Sequence, residues 1–284
     1  MSAFSSGRLL RQAKLAAATL CAAAFVTIGT ARAGDITGTA KLDGPVPQPE
    51  TIDMSAVAEC NNLHPDPVNK EDIVANDKGM LRWVVVSIKK DEAPDLPAGE
   101  APKEPAVMDQ QGCMSHPHVL AMMTGQELVI KNSDPFMHNI HTLSSVNPAF
   151  NKAQPNKNDG EKVDSPKAPE VFHVKCDVHP WMSSYMAVFD HPYFAVTDEN
   201  GKFDIKNVPD GEYTVHAWQE KLGEQDQKVT VKDGKGNIDF SFKPEGAMAP
   251  ATTDVILASQ TQTTTKTPAC CEMPKKAEKV ASAK

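Results

Sequence analysis

The sequence has no apolar run beyond residue 29 that is long enough to cross a membrane, because a spanning helix needs about 20 apolar residues. The chain also lacks an excess of basic residues, since its 29 Lys and Arg are outnumbered by 37 Asp and Glu. Such a chain repels nucleic acid and anionic lipid, so we expect neither as a partner. A phosphate loop, an HExxH motif and a catalytic carboxylate pair are all absent. We therefore expect no enzymatic activity.

The first 33 residues have the organisation of an export signal. Basic residues Arg8, Arg11 and Lys14 precede an apolar run at 15–29, and a small-x-small pattern ends at Ala33. We predict cleavage near Ala33 and a periplasmic or otherwise exported protein, with a retained anchor as the alternative. Cleavage would remove four of the 29 basic residues and none of the 37 acidic ones, leaving 25 against 37 and a net charge of −12.

Cysteines are few, and export would permit them to form disulfides. Cys60 and Cys113 flank a region of predicted strands and are the natural pair, whose bond would stabilise the fold by about 4 kcal/mol on the chain-entropy model. Cys270 and Cys271 lie in residues 245–284, a tail with too few large apolar residues to become ordered. These two cysteines could bind Cu(I), could be joined to each other, or are incidental.

Helical periodicity is nearly absent, whereas short alternating or β-branched runs recur between turn residues. Residues 91–106 are rich in proline and acid and are expected to form an exposed loop or linker, and residues 146–169 a long loop. The remaining pattern predicts an all-β protein built of sandwiches. The predicted strands are at 36–42, 82–90, 118–124, 127–132, 138–143, 170–176, 185–190, 193–198, 202–208, 212–218, 227–233 and 237–243.

The stretch CDVHPWM (176–182) places a thiol, an imidazole and a thioether close together. Side chains alternate along the preceding strand, so Cys176 faces inward with Phe172 and Val174. His179 and Met182 follow in a tight loop at the end of that strand. This arrangement allows three different metal-ligand types to converge on one point.

A second imidazole comes from FMHNIH (136–141), where His138 opens another predicted strand. Two imidazoles, a thiolate and a weak axial thioether form the ligand set of a blue-copper centre. His141 is a rival to His138, although alternation places the two on opposite faces. Met186 is likewise a rival to Met182.

These motifs resemble those of the cupredoxins, and the amicyanin type most closely, over residues 106–190. That family closes its site with Cys-x-x-His-x-x-Met and a proline after the histidine, which Cys176, His179, Pro180 and Met182 match. Its first ligand is a histidine followed by asparagine, which matches His138 and the next residue. The resemblance implies one type 1 copper ion.

The same resemblance implies roles for residues around the site. Asn139 would brace the ligand loop through hydrogen bonds. Pro180 and Trp181 would belong to the surface on which redox partners dock, and electrons would leave through the exposed edge of His179. A c-type cytochrome or a dehydrogenase of the periplasm is the kind of partner expected.

A second resemblance flanks the first. YFAVTDENGKFDIKNVPDGEYTVHAW (193–218) is similar to the carboxypeptidase regulatory-like module, a transthyretin-like sandwich, and ITGTAKLDG (36–44) is similar to its first strand. The expected division is therefore 34–105 for the first strands and linker, 106–190 for the copper domain and 191–244 for the rest of the module. Insertion of the copper domain into the module is favoured over two consecutive domains.

The favoured function is that of an exported carrier of single electrons with one type 1 copper. Two alternatives remain open. Twelve methionines and the Cys270–Cys271 tail also suit a copper chaperone or store. A binding or scaffold module with structural zinc or an empty site is the other, although zinc rarely takes methionine. The redox partner, the potential and the oligomeric state are not specified by the sequence.

Overall fold

A computed structural model describes residues 33–244, and both the expected export segment before Ala33 and the expected tail lie outside the described residues. One short helix, α1 (Ala58–Leu63), and a 3₁₀ turn at Lys90–Glu92 accompany the strands. None of the helices in residues 33–244 is long and apolar enough for a bilayer. The predicted all-β class is confirmed. The strands are β1 (Ala33–Leu42), β2 (Val74–Ala75), β3 (Leu81–Arg82), β4 (Val85–Ile88), β5 (Ala106–Gln111), β6 (Met114–His116), β7 (Val119–Met123), β8 (Leu128–Asn132), β9 (His138–Thr142), β10 (Asn151–Gln154), β11 (Asn158–Val163), β12 (Glu170–Lys175), β13 (Ser183–Phe189), β14 (Phe194–Val196), β15 (Lys202–Pro209), β16 (Gly211–Gln219), β17 (Gly223–Val231), β18 (Lys235–Asn237) and β19 (Phe240–Phe242).

The outer sandwich joins strands from both ends of the described chain. β1 lies between β15 and β18 in one sheet and also pairs with β19, while the facing sheet has the order β14-β4-β16-β17. Alternate residues of β1 are buried, as its sequence pattern predicts. Ile36 of β1, Val86 of β4, Val215 of β16 and Phe240 of β19 share one core.

The inner sandwich is formed by the strands that come between β4 and β14. One sheet has the order β10-β9-β12-β13-β7 and the other β11-β8-β5-β6. Met108, Ile130, Phe172 and Met186 are buried in its core. A smaller apolar cluster that includes Val85, Val119 and Ala187 joins the inner and outer sandwiches. The strands of the inner sandwich thus lie between strands of the outer sandwich in the sequence, as expected if one were inserted into the other. The proposed domain limits stay a prediction.

The expectation of a loop over 146–169 is wrong in part, because β10 and β11 lie within it. Each is the last strand of its sheet, β10 beside β9 and β11 beside β8. Most of their side chains are at least partly exposed on both faces. An edge strand without a buried face has no apolar alternation, which is the signal on which the prediction relied.

A further segment, residues 52–68, packs on one end of the inner sandwich. We call it the covering segment. Its apolar side chains share a cluster with Cys176 and Met182. A disulfide between Cys60 and Cys113, with an S–S distance of 1.98 Å, attaches the segment to the inner sandwich. The members of the cluster that come from the covering segment are Ile52, Met54, Val57, Cys60 and Val68.

Candidate metal centre

Two neighbouring strands and one turn bring the predicted ligands together. β9 and β12 are antiparallel neighbours; His138 begins β9 and Cys176 directly follows β12. The next residues turn back toward β13. This turn is closed by hydrogen bonds from the Cys176 N–H to the Met182 carbonyl, at 3.1 Å, and from the Met182 N–H to the His179 carbonyl, at 2.9 Å.

The sulfur and two ring nitrogens converge in the protein interior. The Nδ1 atoms of His138 and His179 are 2.9 Å apart, and the Cys176 Sγ lies 3.7 Å from the His179 Nδ1. The three side chains are 0, 2 and 3 per cent exposed for His138, His179 and Cys176. Metal–nitrogen bonds of about 2.1 Å and metal–sulfur bonds of about 2.3 Å can span such separations. One ion can therefore contact all three atoms.

The thiol of Cys176 is acidic in this environment. Burial raises its pKa, but hydrogen bonds with His138, His179 and the backbone N–H of Asn139 outweigh burial and lower the pKa to about 5. A thiol with such a pKa is ionised at neutral pH. Since the thiolate is the form that binds metals, the sulfur is ready to act as a ligand.

Asp134 holds the first histidine in place, a role that the sequence reasoning missed. Its carboxylate accepts a hydrogen bond from the Nε2 of His138 at 2.8 Å, which leaves the Nδ1 directed at the site. Burial lowers the pKa of His138, but the carboxylate and the sulfur of Cys176 outweigh burial and raise it. Burial raises the pKa of Asp134, and hydrogen bonds from His138 and from the N–H groups of Cys113 and Gly112 outweigh it, so that pKa is lowered. The sequence feature that could have identified Asp134 is a carboxylate in a turn, four residues before the ligand histidine.

The two candidate thioethers occupy different places. Met182 is fully buried in the cluster that contains Cys176, whereas Met186 is fully buried in the core of the inner sandwich. Met182 therefore stays the predicted axial ligand. His141, the rival imidazole, is partly exposed and lies 3.0 Å from Asp177 instead.

Asn139 connects the two ligand segments. Its side-chain oxygen accepts a hydrogen bond from the Asp177 N–H at 2.6 Å, and its backbone N–H donates to the Cys176 sulfur at 3.5 Å. These contacts attach β9 to the residue that follows the cysteine. They are of the bracing kind expected for this position.

The expectation of an exposed His179 edge is wrong. The rings of Phe136 and Trp181 lie 6.4 and 5.4 Å from the His179 ring. A ring nitrogen of His179 lies within 4.8 Å of both sulfurs of the disulfide that attaches the covering segment. The local motif could not predict the disulfide side of this cover, because Cys60 and Cys113 are more than 60 positions away from His179 in the sequence.

Pro180 and Trp181, the expected docking residues, differ in exposure. Pro180 is exposed, whereas Trp181 is only partly exposed. The Trp181 indole donates a hydrogen bond to the Cys113 carbonyl at 3.0 Å, which holds the ring against the covered side of the site. Of these two, only Pro180 offers an open surface.

The donor set fits copper. It combines a low-pKa thiolate with two imidazoles in a buried pocket, a combination that suits an ion cycling between Cu(II) and Cu(I). The sulfur and nitrogens alone also fit tetrahedral zinc, so a thioether ligand is the feature that would separate the two metals.

Comparisons with known proteins cover parts of the chain. A family model described as polysaccharide lyase family 4, domain II, matches residues 177–237. This is less than half of the chain, and the match carries a different description from the carboxypeptidase regulatory-like module, whose presence stays a prediction. None of the curated proteins matches the chain.

Three solved structures resemble about a third of the chain. A Cu-containing nitrite reductase from Thermus scotoductus SA-01 is 21% identical with a TM-score of 0.26, and the match covers 30% of this chain but only 22% of the reductase. A purple cupredoxin from Nitrosopumilus maritimus is 20% identical with a TM-score of 0.25, over 29% of this chain and 98% of the cupredoxin. An amicyanin mutant in its oxidized state is 18% identical with a TM-score of 0.27, over 33% of this chain and 95% of amicyanin. At such low TM-scores these likenesses carry no argument about function.

Proposed function

We propose that this protein is an exported type 1 copper protein that carries single electrons between periplasmic redox partners and is not itself an enzyme. The observation that supports this most directly is the buried convergence of the Cys176 sulfur with the Nδ1 atoms of His138 and His179. Bound copper would supply one-electron exchange between Cu(II) and Cu(I).

The surrounding residues would fix and tune the ligands. Asp134 orients His138 through its Nε2, and the Asn139 N–H directed at the sulfur withdraws charge from the thiolate. Met182 would be the weak axial ligand. Hydrogen bonding at the sulfur and the axial ligand are the features that set the potential of such a centre.

The partner would approach beside the covered His179. Val178 is 38% exposed and Met137 is 46% exposed, and each directly precedes a proposed ligand histidine. Together with the exposed Pro180 they provide apolar contacts near the site. The acidic balance of the whole chain favours a partner with a basic surface.

Titration of metal-free protein with Cu(II) tests the proposal. We expect a strong visible thiolate-to-copper band with one equivalent of copper, loss of the band in Cys176→Ser, and a reversible one-electron wave. Replacing Cys270 and Cys271 by serine is the control and should leave the band intact. A colourless stoichiometric complex would refute the electron-carrier proposal.

The zinc alternative has its own measurement, because the buried Cys176, His138 and His179 also suit that ion. Met182→Leu should shift the visible band and raise the potential of a copper centre. A structural zinc site would leave metal content unchanged in the same variant and would show no visible band.

A further inference from the structure

The disulfide between Cys60 and Cys113 lies directly beside the candidate metal centre. Both of its sulfurs are within 4.8 Å of a ring nitrogen of His179, and both cysteines are 0% exposed. After the S–S bond is broken, the two sulfurs would be free to act as metal ligands at this place. The proposed electron transfer uses neither of them.

Sulfur atoms are abundant in the apolar cluster around the disulfide. All of its seven buried members except Ile52 are cysteine or methionine. Thiolates and thioethers are the soft ligands that select Cu(I). The cluster therefore combines the packing of a core with the donor chemistry of a Cu(I) site. The members that carry sulfur are Met54, Cys60, Cys113, Met114, Cys176 and Met182.

Contacts other than the disulfide hold Cys113 in place. Its backbone N–H donates a hydrogen bond to the Asp134 carboxylate at 2.8 Å. Its carbonyl accepts the indole N–H of Trp181 at 3.0 Å. Because these bonds involve the backbone, they can persist when the S–S bond is broken, and the freed sulfur of Cys113 would stay beside the metal centre.

The covering segment has its own contacts around Cys60. The Ile52 N–H donates to the Val68 carbonyl at 2.8 Å, and the Asn61 N–H donates to the Val57 carbonyl at 3.0 Å in the helical turn that carries Cys60. Most residues of the segment are exposed, so local opening would cost little free energy. Opening would admit a reductant and an ion, and the packing of the cluster would close the segment again.

We propose that reduction of the Cys60–Cys113 disulfide creates a second metal site, in which the two thiolates bind one Cu(I) ion. A dithiol reductant supplies two electrons and two protons: the S–S bond breaks, two thiols form, and the reductant becomes a disulfide. Cu(I) then displaces both thiol protons into the solvent and keeps its oxidation state. Two thiolates are sufficient for Cu(I), so His179 can remain a ligand of the first centre. The inference goes beyond the proposed function, because the second ion needs neither Cys176 nor a redox partner.

Titration with Cu(I) before and after reduction tests the proposal. The sample is metal-free protein without residues 1–33 and with serine at 270 and 271, so that Cys60, Cys113 and Cys176 are its cysteines. It is reduced with dithiothreitol without oxygen, freed of the reductant, and titrated with Cu(I) against a coloured Cu(I) chelator. We expect thiols counted in denaturant to rise from one to three per chain, and bound Cu(I) to rise by one equivalent.

Cys176→Ser separates this site from the proposed electron carrier. The variant lacks the thiolate of the first centre and should still gain one equivalent of Cu(I) on reduction, so failure of the first centre would not hide the second. Cys60→Ser combined with Cys113→Ser is the matched control and should gain none. Circular dichroism checks that each sample is folded. The proposal is overturned if the disulfide resists the dithiol, if reduction unfolds the protein, if the reduced protein gains no Cu(I), or if the double serine variant gains the same equivalent.

Discussion

At the residue scale, the candidate site depends both on the ligand side chains and on the neighbouring residues that orient them. The spacing of Cys176, His179 and Met182 could be read from the sequence because it lies in one short loop. Asp134 could not be assigned, because a carboxylate in a polar turn has many possible roles. Only the fold shows that its oxygen lies 2.8 Å from the Nε2 of His138.

Asp134→Asn tests this positioning role. The amide keeps the shape but lacks the negative charge that holds the His138 ring and raises its pKa. We expect metal affinity to fall about 10- to 100-fold, the range seen when the outer partner of a ligand histidine is lost. Competition with a chelator measures this. Asp198→Asn, in a turn of the outer sandwich, should bind metal as the natural protein does, and equal affinity of both variants would contradict the assignment.

The pH behaviour of Cys176 is a second expectation at this scale. Its pKa of about 5 is below the ordinary value of 9.0. The ultraviolet absorption of the thiolate in metal-free protein should therefore persist down to about pH 5. Because the folded pKa is the lower one, the associated stability is complete above about pH 9 and decreases as the pH falls toward 5. In protein without residues 1–33, serine at 270 and 271 leaves Cys176 as the titrating thiol, because Cys60 and Cys113 form a disulfide. A midpoint near pH 9 would be inconsistent with the observed contacts.

At the element scale, the covering segment changes what the metal motif can do. A copper site predicted from its loop alone has an open histidine edge, but His179 is 2% exposed here. The cover depends on a segment of residues 52–68 and on the disulfide that attaches it. β10 and β11 were missed for a related reason, because edge strands take their structure from neighbours rather than from their own pattern.

Removing the disulfide tests the cover. Replacing both Cys60 and Cys113 by serine should lower the free energy of unfolding by about 4 kcal/mol and loosen the covering segment. Urea unfolding measures the first effect. The second should appear as faster alkylation of Cys176 in metal-free protein, with residues 1–33 removed and serine at 270 and 271 in every sample. Alkylation at the rate of the disulfide-bonded protein would show that the segment stays closed by packing alone.

At the scale of the whole molecule, the start and the end of the described chain depend on each other. The alternation of 36–42 and 237–243 predicted two strands but not their pairing, because pairing over 200 residues leaves no local signal. In the structure, Ala40 of β1 lies opposite Phe240 of β19, and the inner sandwich comes between them in the sequence. The outer sandwich is therefore closed by strands that follow the metal-site residues in the sequence.

Gly38→Ala tests this dependence by adding a single Cβ atom where β1 contacts the end of the described chain. A Cβ at Gly38 would lie 1.7 Å from the carbonyl oxygen of Ile238 and 2.8 Å from the ring of Phe203, so β1 could not approach the last strands as closely. We expect a loss of about 3 kcal/mol or more in the free energy of unfolding. Lys41→Ala, at an exposed position of the same strand, should change it by less than about 0.5 kcal/mol.

Because the two sandwiches share an apolar cluster around Val85 and Ala187, the Gly38 variant should also unfold its metal site at lower denaturant concentration. Retention of the site after the outer sandwich has melted would instead show that the inner sandwich is stable without its surroundings.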